Sequence, residues 1–245
     1  MVDLIDNKVE LDFGTTRFRR SHIFNAHELP AEDTMHPHPL QSREDLFNVY
    51  THAGGFWLSV LACFTLLVKS FYTADFFKIA GAFSFGISLI LVYASSTMYH
   101  SLYRTNLRKR FQLLDHMMIF VLIAGSFTPF TLVPLRGPLG YSLFAIIWSL
   151  AIVGITLKAR SKKDRPAVWT IYYLVMGWTG VVAIFPLASM ISPSALLCLM
   201  LGGFSYTVGV IFFAWGNLKY NHGIWHLFVL TGSALHFISV YQTLF

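Results

Sequence analysis

His222 and His226 stand four residues apart in Asn221-His-Gly-Ile-Trp-His226. That spacing puts both imidazoles on one face of a helix, where a nitrogen from each can converge on one metal ion. A second i, i+4 pair, Ser96 and His100, lies in Ser96-Thr-Met-Tyr-His100, and Asp115 precedes His116 in Leu113-Leu-Asp-His-Met117. Three histidines with water in the fourth position make the open tetrahedral site typical of catalytic zinc, and a carboxylate beside the metal can deprotonate that water. The predicted Zn2+ ligands are therefore His100, His222 and His226, with Asp115 on the water side. Ser96 is the hydroxyl that orients His100 or donates to an oxyanion. The same residues also fit a polar network in which histidines and an aspartate tie helices together without metal.

The elements that must position these side chains are membrane helices. Of 245 residues, 55% are hydrophobic and 12% charged, against roughly 45–50% apolar residues in a soluble domain. The charges crowd into short stretches. Between them lie seven apolar runs, roughly 53–73, 76–99, 112–134, 139–158, 167–187, 194–215 and 222–244. Each is long enough to cross a hydrocarbon core of about 30 Å. The expected fold is an all-α, seven-helix transmembrane bundle over residues 43–245. Residues 1–42 are expected to form a polar, weakly ordered cytoplasmic tail, with an amphipathic piece near Phe18 to Phe24.

Lysine and arginine set the orientation. One set of alternate ends carries Arg43; Arg104, Arg108, Lys109 and Arg110; Lys158, Arg160, Lys162, Lys163 and Arg165; and Lys219. The other carries Lys69, Lys78 and Arg136. The bias predicts a cytoplasmic N-terminus and an outside C-terminus, with His100, Asp115, His222 and His226 at one depth near the inner leaflet. The net charge of +6 then reports topology and contact with anionic lipid, and no aromatic-and-basic groove points to nucleic acid. Cys63 and Cys198 both fall inside apolar runs and read as small hydrophobes, so any metal is held by nitrogen and oxygen.

The remaining polar residues read more plainly. His36 and His38, flanked by prolines, read as an exposed pair in the tail. His52 is expected at a helix end or interface, and His116, turned about 100° from Asp115, at a helix interface or headgroup level. His236, ten residues past His226 and so about 15 Å away along a helix, is expected to be a core or cavity-lining histidine too distant to share the metal. Pro129 should bend the third helix, Gly202, Gly203 and Gly209 should let the sixth pack closely, and Ser192-Pro193 should cap it.

Taken together, Ser96-x-x-x-His100, Asp115 after a basic loop and His222-x-x-x-His226 resemble the hemolysin III and progestin/adipoQ receptor family, which includes the adiponectin receptors and is related to alkaline ceramidases. Arg43-Glu44, Asn48 and Thr51-His52, Gly125-Ser-Phe-Thr-Pro129, and Gly202-Gly203 with Tyr206 and Gly209 extend the similarity over about 43–245. The resemblance implies zinc on His100, His222 and His226 with Asp115 and Ser96 beside the water, a membrane lipid as substrate or ligand, and a plasma-membrane or bacterial inner-membrane location. The activity it implies is hydrolysis of a lipid amide or ester. The alternative is a non-enzymatic, cytolytic or receptor-like membrane protein with structural zinc. Short loops and overall length place the chain nearer the bacterial hemolysin III branch.

Overall fold

The computed structural model describes residues 39–102, 105–163 and 165–245. The tail segment with Phe18 to Phe24, the His36 and His38 pair, and Arg104 lie outside the described residues. Among the described residues eight α-helices follow one another: α1 Pro39–Thr73, α2 Phe76–Ser101, α3 Arg108–Leu132, α4 Pro138–Arg160, α5 Pro166–Trp178, α6 Ile184–Ala188, α7 Pro193–Ala214 and α8 Asn221–Leu244. No strand occurs among the described residues. Seven segments are long and apolar enough to span a bilayer, the fifth being Pro166–Ala188, in which α5 and α6 are joined by a 3-10 turn over Thr179–Ala183. The chain is a multi-pass membrane protein with seven such segments among the described residues.

Local sequence explains most of the boundaries. Pro138, Pro166 and Pro193 begin their helices at a position where the missing N–H costs nothing. The Asp75 carboxylate accepts from the backbone N–H of Phe77 at 2.8 Å to start α2, and Ser192 Oγ accepts from Ala195 N–H at 3.2 Å to start α7, as its sequence suggests. Pro129 sits inside α3, buried against Gly81, three residues before the helix ends at Leu132.

The first helix starts earlier than its hydropathy suggests, and this matters for the site. Its buried face runs Asp45, Asn48, His52, Gly55, Ser59, Cys63, Leu66 and Ser70, at steps of three and four. The outward face is apolar, with Trp57, Leu61, Phe64 and Phe71 all exposed. Polar inside and apolar outside is the pattern of a helix solvated by lipid. His52, expected at a helix end or an interface, lies within α1 and is buried at the interface with α8. Residues 39–42, expected in the tail, form the first turn of α1.

Two apolar cores hold the bundle. One joins α1, α2, α3 and α8 around Leu66, Phe85, Leu89, Tyr93 and Val240. The other joins α3, α4 and α5 around Phe120, Ile147, Trp169 and Met176. Between them lies a cavity of about 560 Å³. Along α3 it is lined from Gln112 to Thr131, a distance of about 28 Å at helical rise, close to the thickness of a hydrocarbon core.

Candidate metal centre

One end of that cavity gathers polar residues from α1, α2, α3 and α8. His100 comes from the last turn of α2, and His222 and His226 come from the first turns of α8. One possible ligand atom from each of the three lies within 4.8 Å of the others, and His100 and His226 are buried. Ring centroids are 5.1 Å apart for His100–His222 and His100–His226, and 4.5 Å for His222–His226. Sequence spacing thus named three side chains that the fold does bring together.

Asp45 of α1 supports this cluster, and the sequence reading had not singled it out. Its Oδ1 lies 3.1 Å from His100 Nδ1. The Arg108 guanidinium donates to both carboxylate oxygens, at 3.1 and 3.4 Å. An ionised Asp45 is an acceptor only, so the proton sits on His100 Nδ1 and the lone pair on Nε2. A carboxylate on the far nitrogen of an imidazole is the usual support for a metal-binding histidine. Arg108 in turn supplies the charge that lets a carboxylate remain ionised in a buried place.

The buried face of α1 adds two more residues. The His52 ring stacks on that of His226, centroids 3.5 Å apart at 25°. Asn48 faces Gly223, where a Cβ would press on the Phe47 ring and lie 3.0 Å from Asn48 Oδ1. The glycine between the two α8 histidines therefore lets α1 approach closely enough to place Asp45 and His52 in the site. Just before α8, Tyr220 adopts the left-handed region at φ 59°, with its N–H donating to Glu44 at 3.0 Å. That contact also anchors α1 to the start of α8.

Asp115 is buried in α3 and Ser96 in α2, both on the cavity wall. The Ser96 hydroxyl faces the Asp115 carboxyl but closes no hydrogen bond at standard geometry. Neither residue is among the three that converge as ligands. His116 lines the cavity as well, and its backbone carbonyl accepts from Tyr173 Oη at 2.8 Å. His236 is buried farther along the same cavity. Gly202 and Gly209 of α7 pack against His236 and against Trp225 and Phe228 of α8, whereas Gly203 faces open space on the cavity wall.

The basic residues collect at the histidine end. Arg108 pairs with Asp45, and the buried Lys158 lies over the Trp169 ring at 5.1 Å on the cavity wall. At the opposite end Lys69 donates to Tyr241 Oη at 2.6 Å, and Arg136 pairs with Asp75. The donor set suits zinc: three imidazoles, one with its tautomer fixed by a carboxylate, and no cysteine among them.

Residues 40–237 match the family model described as Haemolysin-III related. The chain is 42% identical to Hemolysin-3 of Bacillus cereus over 198 residues, covering 81% of this chain and 90% of that protein. It is 40% identical to the Hemolysin-3 homolog of Bacillus subtilis, covering 81% and 93%. Monocyte to macrophage differentiation factor of Homo sapiens is 30% identical over 235 residues, covering 94% of each chain.

Proposed function

Given that this chain belongs to the haemolysin-III-related family, we propose that it is an intramembrane zinc-dependent hydrolase acting on the amide or ester bond of a lipid. The observation that carries the reading is the company the histidines keep. On the same cavity wall as the three are a buried carboxylate, Asp115, and a hydroxyl, Ser96, outside the ligand set, and the cavity is long and mostly apolar. A purely structural zinc commonly has four protein ligands and would leave Asp115 and Ser96 without a task.

His100, His222 and His226 hold the metal, and Asp45 and Arg108 fix His100. Zinc supplies, when bound, Lewis acidity that lowers the pKa of water toward neutrality. Asp115 takes the proton as water adds to the carbonyl carbon and returns it to the leaving nitrogen or oxygen. Ser96 donates a hydrogen bond to the oxygen on which negative charge develops. The cavity below accepts the acyl chain and keeps bulk water from the reacting carbonyl.

The test joins metal analysis to a panel of lipid amides and esters assayed for released fatty acid. Wild-type protein should carry about one zinc per chain, and the triple alanine variant of His100, His222 and His226 should carry none. Asp115→Asn should keep the zinc and lose turnover by about 100-fold or more. A wild type that holds zinc yet is as inert as Asp115→Asn across the panel would instead support a non-enzymatic protein with a structural metal. One observation favours that second reading: all three histidines lie on α2 and α8, which meet only sparingly elsewhere, so a metal there would clamp two helices.

The histidine end is read as cytoplasmic because the basic connections lie there, in a plasma membrane or bacterial inner membrane. A tag inserted at 161–165 should be protected in intact cells and one after Phe245 accessible. The reverse pattern would move the site to the outer leaflet.

A further inference from the structure

Farther along the cavity, away from the three histidines, the wall turns polar again. His236 of α8 is 8% exposed, and neither of its ring nitrogens closes a hydrogen bond. The Leu199 carbonyl approaches the ring. A single carbonyl directed at one ring nitrogen would leave the other still available, because an imidazole presents two. Leaving such a group unmatched in an apolar surround costs free energy, so a buried histidine on a cavity wall needs a reason.

The surroundings keep that ring in place. Gly202 of α7 has no side chain where His236 passes, and a Cβ there would collide with the ring. Tyr206 meets His236 edge-on with centroids 5.3 Å apart. The Tyr206 hydroxyl is engaged with Ser233 Oγ at 2.9 Å, and Tyr93 Oη donates to Ser233 at 2.8 Å. The three hydroxyls thus satisfy one another. The imidazole is left as the group with hydrogen-bonding capacity to spare, on a wall shared with Met200, Gly203 and Ile184.

We propose that His236 is a second recognition point in the cavity, taking a hydrogen-bonding substituent such as a hydroxyl carried partway along the ligand's apolar chain. The position follows from the helix: ten residues separate His226 from His236, about 15 Å of rise. A ligand whose reacting carbonyl lies at the histidine trio therefore reaches His236 near the middle of a long acyl chain. A plain chain leaves the imidazole unmatched, and a mid-chain hydroxyl satisfies it. Selection by a buried polar group acts chiefly against the analogue that lacks the partner. The proposal rests on the lipid-hydrolase reading for its choice of ligand, and its test does not use hydrolysis.

The probes are radiolabelled ricinoleic acid, with a mid-chain hydroxyl, and oleic acid, the same chain without it. Both are titrated onto purified full-length protein in detergent. Wild type should bind ricinoleic acid about five- to ten-fold more tightly, the worth of one buried hydrogen bond. His236→Leu should bring the two affinities within about two-fold while leaving oleic acid binding largely unchanged. His236→Gln, which keeps a donor and an acceptor, should retain most of the preference, which guards against a packing effect of the leucine. Equal binding by wild type would mean that a resident water satisfies His236, and a preference that survives His236→Leu would place recognition elsewhere. Either result overturns the proposal. A clear, His236-dependent preference in a protein that hydrolyses nothing would leave this subsite standing and remove the hydrolase reading alone.

Discussion

Among the described residues, two aspartate–arginine pairs stand at opposite ends of the bundle and differ in all but chemistry. Asp45 and Arg108 meet at the histidine end with side chains 6% and 15% exposed. Asp75 and Arg136 meet at the other end, 29% and 38% exposed. The outer pair is the better formed by distance, with Arg136 Nη2 2.9 and 2.8 Å from the two oxygens. It caps α2 and ties that helix start to the α3–α4 connection. The inner pair has longer contacts, but its carboxylate also engages His100. Solvent screens the outer pair and little screens the inner. An ion pair at the surface thus closes a loop, while the same pair buried sets the proton of an imidazole.

Removing the charge of each carboxylate in turn separates these roles. The largest effect is expected for Asp45→Asn, which keeps the shape but weakens the hold on His100. Zinc affinity measured by chelator competition should fall about 10- to 100-fold, and an unchanged affinity would reduce Asp45 to a packing residue. Next in size is the coupling within each pair. A double-mutant cycle on Asp75 and Arg136 should give under about 1 kcal/mol and fade in 1 M salt, where the screening length is about 3 Å. The cycle on Asp45 and Arg108 should give more and persist. Equal salt sensitivity would mean that water reaches the inner pair.

The smallest effect is in acid. The hydrogen bond from Arg136 holds Asp75 below the usual carboxylate value of 3.8. A depressed carboxyl stabilises the fold fully above its unfolded value, and that share is lost as pH falls through the folded one. The difference in Tm between wild type and Asp75→Asn should therefore be constant above about pH 5 and shrink below about pH 4. A difference that grew in acid would assign Asp75 a role outside this pair.

Much of this was legible in the sequence because two periodicities agree. Runs of about 20 apolar residues gave the spans, and i, i+4 spacing placed Ser96 with His100 and His222 with His226. Asp45 escaped because the first turns of α1 are too charged for a hydropathy window, although Asp45, Asn48, His52, Gly55 and Ser59 keep the same three-and-four rhythm as the apolar face that follows. Tracing that rhythm upstream would have found it. The same oversight placed His52 before the first helix, although its reading as an interface residue fits its stacking on His226. The break in the fifth span was hidden differently. Residues 167–187 form one apolar run, and the 3-10 turn at Thr179–Ala183 leaves no trace in hydropathy, which averages composition along the run and is blind to helix pitch.

That turn would let the fifth span follow bilayer thickness. Each 3-10 residue rises about 2.0 Å against about 1.5 Å in an α-helix, so five of them make the span about 2.5 Å longer than a continuous α-helix would be. A thinner bilayer favours the shorter form and a thicker one the longer. Gly180, Val181 and Ala183 of this turn lie on the cavity wall, so a change in rise there moves the wall itself. The expectation is that hydrocarbon thickness and cavity shape are linked through these five residues. Ligand affinity in lipids of graded chain length measures that link, and an affinity indifferent to chain length would show the turn to be rigid.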